Sequence, residues 1–173
     1  MVAGSNPTTD AEEPVFEIAR TFDAPRELVW KAWTDPERLA QWWGPKGFTM
    51  LASKMDLRPG GIYHYGMRAP AGQEMWGTFT YREIDPPQRL VFVVSFSDQD
   101  ANVVRHPMSA SWPLEVLNTL TFSEHEGTTT LTLVGGPINA TDDERETFRD
   151  ARTSMQQGFK GTFDQLAAHL AKA

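Results

Sequence analysis

The stretch "TDDERETFRDARTSMQQGFKGTFDQLAAHL", residues 141–170, decides the fold. Its apolar residues Phe148, Ala151, Met155, Phe159, Phe163, Leu166 and Leu170 recur every three or four positions, the period of one helix face. Thr141 with Glu144 reads as a capping box, and Asp142 and Asp143 suit the positive start of a helix. The spacing predicts one helix over 142–170, ~40 Å long at ~1.5 Å per residue. A rod comparable in length to a small domain must lie across a sheet to bury such a stripe. Gly158 and Gly161 interrupt it, each costing ~1 kcal/mol against Ala. Close packing against the sheet is the plainer reason for them; space left for a ligand is the other.

The preceding residues supply that sheet. "VFEIARTF" alternates as a half-buried strand, and "DAPRELVWKAW" then places Leu28, Val29, Ala32 and Trp33 on one helix face. A second short helix follows, capped by Thr34 or Asp35, with Pro36 in its first turn and Leu39, Trp42 and Trp43 on its apolar side. After Gly44-Pro45 the period changes to two. "FTMLASKMDLRPGG", "IYHYGMRAPAGQEMWGTFTYREIDPP", "RLVFVVSF", "LEVLNTLTFSE" and "TTTLTLVGG" read as strands joined by turns too short for crossover helices, so the sheet is expected to be antiparallel. Residues 97–113 carry two Pro and no periodicity, and read as a loop.

Composition narrows the class. At 173 residues the chain suits one domain, 14–173, behind a polar tail, 1–13, with little to bury. A formal net charge of −7 argues against a nucleic-acid surface, which needs clustered Lys and Arg. The sequence has no cysteine, which removes disulfides and thiolate chemistry and fits a cytoplasmic protein. No run approaches the ~18 apolar residues of a membrane span.

The order of elements resembles the α+β helix-grip fold of the START-like, or SRPBCC, superfamily. "APRELVWKAWTDPERLAQWWGPKGF", "DLRPGG", "YREIDPPQRLVF" and "SMQQGFKGTFDQLAAHL" are similar to the branch named for the activator of heat-shock-protein-90 ATPase. The resemblance spans residues 14–171. It implies a curved antiparallel sheet wrapped around a long C-terminal helix, with two short helices after the first strand and a cavity between sheet and helix. The resemblance implies a domain used by different members for binding, transfer, ring closure or chaperone contact, so a cyclase or hydrolase, or an antibiotic-resistance protein of the same fold, stands as an alternative to ligand binding. The heat-shock-protein-90 chaperone and a role in stress response are therefore expectations that come from the family name alone.

Two-residue alternation then selects a candidate pocket. Tyr63, Tyr65 and Met67 share a face; so do Leu90, Phe92, Val94 and Phe96, and so do Val116, Asn118, Leu120 and Phe122. If these faces look at the helix, Asn118 and the two tyrosines bring hydrogen-bonding atoms into an apolar space, the mixture typical of a small-molecule site. Trp30 and Trp33 read as core. Trp42, Trp43, Trp76 and Trp112 fall near element ends, where an indole suits a cavity mouth. The candidate ligand-binding residues are Trp43, Tyr63, Tyr65, Trp76, Phe92, Phe96, Trp112, Asn118, Met155 and Phe159. The expected partner is a hydrophobic or aromatic small molecule, bound by a monomer or homodimer.

Catalytic signals are weak. His64, His106, His125 and His169 show no metal-ligand spacing, and no nucleophile elbow surrounds Ser109 or Ser111. His106, beside Arg105 in the loop, is the best acid–base candidate of the four. No catalytic residue, metal ligand or cofactor is expected.

Overall fold

The first two strands of the chain end at opposite edges of one sheet. β1 (Phe16–Phe22) and β2 (Thr49–Met55) are separated by α1 (Arg26–Thr34) and α2 (Pro36–Trp42), which carry the chain across. β3 (Ile62–Arg68), β4 (Glu74–Asp85), β5 (Arg89–Ser97), β6 (Val116–His125) and β7 (Thr128–Pro137) then return by antiparallel pairing until β7 meets β1. The strand order is β1-β7-β6-β5-β4-β3-β2. The computed structural model describes residues 14–172, so the expected tail at 1–13 lies outside the described residues.

Local chemistry sets these boundaries. Asp35 caps α2, its Oδ1 accepting the Glu37 N–H at 3.0 Å, and Pro36 takes the first helical position, where no N–H is needed. Glu126 and Gly127 both have positive φ, 52° and 78°, the backbone a two-residue β6–β7 hairpin requires. Register shifts at Leu51 in β2 and Arg82 in β4 mark bulges, which add bend and twist. The result is a curved antiparallel sheet whose concave face holds the C-terminal helix, the helix-grip arrangement.

The C-terminal segment is two helices, not one. α3 (Asp142–Asp150) and α4 (Arg152–Lys172) meet at Ala151, whose φ of −87° and ψ of −2° lie at the edge of the right-handed helical region. The Ala151 N–H is shared by the carbonyls of Thr147, Phe148 and Arg149, a tightened last turn that closes α3. The capping box at its start is present: Thr141 Oγ1 accepts the Glu144 N–H at 3.2 Å, and Glu144 Oε1 accepts the Thr141 N–H at 2.9 Å. α3 packs on β7; α4 packs on β1, α1 and α2.

One end of this sandwich is sealed by aromatic rings. Trp33 meets Trp42, Trp43, Phe92 and Phe163 with ring centroids 4.7, 5.8, 6.3 and 6.5 Å away. Each such pair adds ~0.5–1.5 kcal/mol beyond the area it buries. Trp42 is core rather than rim, fully buried with its indole N–H donating to the Ala32 carbonyl at 3.1 Å. The bend after it is tied to α4: the Gly44 carbonyl accepts from Gln165 Nε2 at 2.7 Å and Thr162 Oγ1 at 3.3 Å.

Candidate functional site

Toward its N-terminus α4 stands away from the sheet. Phe163, Leu166 and Leu170 are buried, whereas Met155 and Phe159 are half-buried and Gly158 is exposed. Two adjoining hollows lie beneath. The first, ≈ 210 Å³, is lined by Phe16, Trp43, Phe92, Val94, Ser95, Phe96, Trp112, Val116, Asn118, Leu133, Gly135, Phe148, Met155 and Phe159. The second, ≈ 240 Å³, is lined by Trp43, Gly44, Pro45, Tyr65, Met67, Met75, Phe96, Met155, Gly158, Phe159 and Thr162. Trp43, Phe96, Met155 and Phe159 belong to both, and form the waist between the lobes.

Of the residues singled out from sequence, Trp43, Tyr65, Phe92, Phe96, Trp112, Asn118, Met155 and Phe159 come together on these walls. Tyr63 does not. It lies one layer behind, stacked on Tyr65 at 5.5 Å, its hydroxyl 2.8 Å from Ser53 Oγ and its pKa pushed up to about 12 by burial. Trp76 points away altogether. It pairs with Gly66 on the opposite face of the sheet, packs on His64 at 5.4 Å, and donates its N–H to Glu74 at 3.2 Å. Gly77, Phe79 and Tyr81 occupy the inward positions of β4, so parity along that strand already assigns Trp76 outward.

Sequence reasoning missed Phe16, Ser95, Leu133, Gly135 and Phe148 in the first lobe and Gly44, Pro45, Met75 and Thr162 in the second. Val94, Val116 and Met67 share the inward faces that alternation predicts, and they line the lobes too. The two helix glycines are not close-packing sites: a methyl group at Gly158 or Gly161 would meet nothing within 4 Å. Gly158 borders the second lobe.

The 97–113 loop closes one end of the first lobe. Trp112 lies against Phe148 of α3 at 5.6 Å, and Ser111 Oγ is 2.8 Å from Thr147 Oγ1. Arg105 forms an ion pair with the buried Glu144 and also donates to the Trp112 carbonyl at 3.3 Å. His106 packs on Phe96 at 4.5 Å, and its Nδ1 accepts the Met108 N–H at 2.9 Å. Desolvation holds the His106 pKa below its ordinary value. It lines neither lobe.

No carboxylate, imidazole, amine or guanidinium stands among the described residues of either wall. Tyr65 is the one titratable group there, and burial raises its pKa to about 12, so it stays neutral near pH 7. The Trp43 indole N–H faces the Tyr65 hydroxyl without completing a hydrogen bond of good geometry. Such a lining suits an uncharged guest, since a buried charge without a partner is expelled to water.

The family model described as Activator of Hsp90 ATPase homolog 1-like protein matches residues 23–171. The chain belongs to this family. Protein Ms6760 from Mycobacterium smegmatis is 29% identical, with 92% of this chain and 91% of that one aligned at a TM-score of 0.75. A protein from Arthrobacter aurescens is 25% identical, over 95% of this chain and 90% of that one, with a TM-score of 0.77. The AHSA1 protein from Silicibacter pomeroyi shares the fold at 22% identity, over 91% and 97% of the two chains, with a TM-score of 0.68. No curated protein matches the sequence. Among the described residues, no helix of this family member is long and apolar enough to cross a membrane.

Proposed function

We propose that this domain binds an uncharged aromatic small molecule between its sheet and α4. One observation carries the reading: the wall residues of two adjoining lobes are almost wholly apolar, and they sit under a helix segment that leaves the sheet uncovered. Ligand sites in proteins have this character, apolar walls with few polar groups. Trp43 belongs to both lobes, so occupancy should alter tryptophan fluorescence.

The test titrates the protein with naphthalene, indole and larger neutral aromatics, following tryptophan emission and melting temperature. A ligand present at ~100 times its dissociation constant adds ~2.7 kcal/mol of stability, well within detection. Met155→Trp, which fills the waist, should abolish the response in a folded protein. Silence of both signals across the whole set would end the proposal. The family description supports a second reading, contact with the Hsp90 chaperone. Under it the purified domain stimulates Hsp90 ATPase turnover, and an unchanged turnover removes it.

A further inference from the structure

Within the first lobe the polar side chain of Asn118 stands without a partner, as does the Trp43 indole N–H. Asn118, at the middle of the sheet on β6, is only 7% exposed and lines the lobe. Its amide makes no hydrogen bond with any other described residue. Its register neighbours are Phe92 on β5 and Gly135 on β7. A Cβ at Gly135 would fall 2.6 Å from Asn118 Oδ1, so the glycine makes room for the amide to lie where it does. Val, Leu or Ala at 118 would pack this surface with no polar group withdrawn from water. The amide and its glycine seat thus leave a donor and an acceptor facing apolar space, where an unmatched polar group is unfavourable.

We infer that Asn118 determines specificity, as the polar anchor for a neutral aromatic ligand of one or two rings carrying a hydroxyl or carbonyl group. The inference rests on the ligand-binding reading above and names the chemical class of the guest. Size comes from the lobe: an apolar cavity of ~150 Å³ holds a benzene, so ≈ 210 Å³ takes a molecule near the size of naphthalene. Neutrality comes from walls that offer no countercharge. The hydroxyl or carbonyl on the guest is matched to Asn118, whose amide donates to a carbonyl or both donates to and accepts from a hydroxyl.

The test compares 2-naphthol, naphthalene and 2-naphthoate by chemical-shift titration of the wild type, Asn118→Leu and Gly135→Ala. A site that hydrogen-bonds its ligand rejects the analogue lacking that group far more strongly than a purely apolar one does. The wild type is expected to bind 2-naphthol at least ~10-fold tighter than naphthalene and to refuse the carboxylate. Asn118→Leu should bring the two neutral probes to equal affinity by weakening 2-naphthol alone. Gly135→Ala, which crowds the amide, should do the same in part. Equal affinity in the wild type, or an unchanged ratio in Asn118→Leu, overturns the anchor and leaves the cavity reading standing. Failure of the wild type to bind either neutral probe overturns both.

Discussion

The two ends of α4 belong to one helix and do opposite things. At the C-terminal end Phe163 is fully enclosed, with Phe22 at 6.2 Å and Trp33 at 6.5 Å, and Leu166 and Leu170 continue the seal. At the other end Phe159 keeps contact with Phe16 at 5.5 Å and Phe163 at 5.7 Å, yet stays half-buried above two hollows. Both ends obey the same apolar period. What differs is the partner opposite: the Trp33 and Trp42 indoles of α1 and α2 fill the space at the first end, whereas at the second Trp43 and Trp112 stand as walls of hollows they leave open. Apolar periodicity therefore tells which face of a helix looks inward, and tryptophan placement tells how fully that face is met.

The sharpest way to break this comparison is to truncate a ring at each end. Phe163→Ala removes a side chain from a filled site and should cost ~3–5 kcal/mol, cavity included. Phe159→Ala removes a half-buried ring whose surroundings are already open, and should cost ~1 kcal/mol. Denaturant unfolding of both variants, read by far-UV circular dichroism, measures the gap. Equal losses would mean that the helix is packed alike along its length and that the hollow is closed in solution.

The same contrast explains what was legible beforehand. The antiparallel strands, the inward faces of β3, β5 and β6, and the capping box at Thr141 follow from local patterns, because short periods carry burial directly, whereas the α2 cap stays open between Thr34 and Asp35 until the structure selects Asp35. Trp76 was misread because its place near a turn was weighed above its parity on β4. The break at Ala151 left no mark, since Ala is the best of helix formers and the interruption comes from how the turn closes. The Arg105–Glu144 pair spans 39 positions and becomes visible only when the loop is seated on α3. Asn118 and Gly135 show how far sequence goes: the first was chosen as a polar residue on an apolar face, and the glycine that seats it went unnoticed.

A second contrast concerns what holds each end. The sealed end is held mainly by apolar contact, whereas the loop over the open lobe is pinned by the Arg105–Glu144 ion pair and the Ser111–Thr147 hydrogen bond. The Thr141 backbone N–H and then Arg105 hold the Glu144 carboxyl below the usual carboxylate range. A lowered folded-state pKa gives stability that is complete above the unfolded value, ~4.3, and is lost as pH falls through the folded one. Glu144→Gln keeps the capping geometry and removes the charge. It should lower stability by up to ~1 kcal/mol at pH 7, the ceiling for a pair with one exposed member. Melting curves of wild type and variant should draw together as pH approaches ~3. Parallel curves over that range would mean that the charge contributes nothing to the latch.

The smallest effect separates helix stability from the space beneath the helix. Gly158 and Gly161 lie one turn apart on α4, and an added methyl group meets nothing at either. Replacing each with Ala should therefore stabilise the fold by ~0.5–1 kcal/mol, through the lower backbone entropy of the unfolded chain. Only Gly158 borders the second lobe. Gly158→Ala should combine the gain in melting temperature with weaker binding of ligands long enough to pass the waist, while Gly161→Ala should show the gain alone. If the two variants bind such ligands equally well, occupancy stops at the first lobe, and the open stretch of α4 is larger than its guest requires.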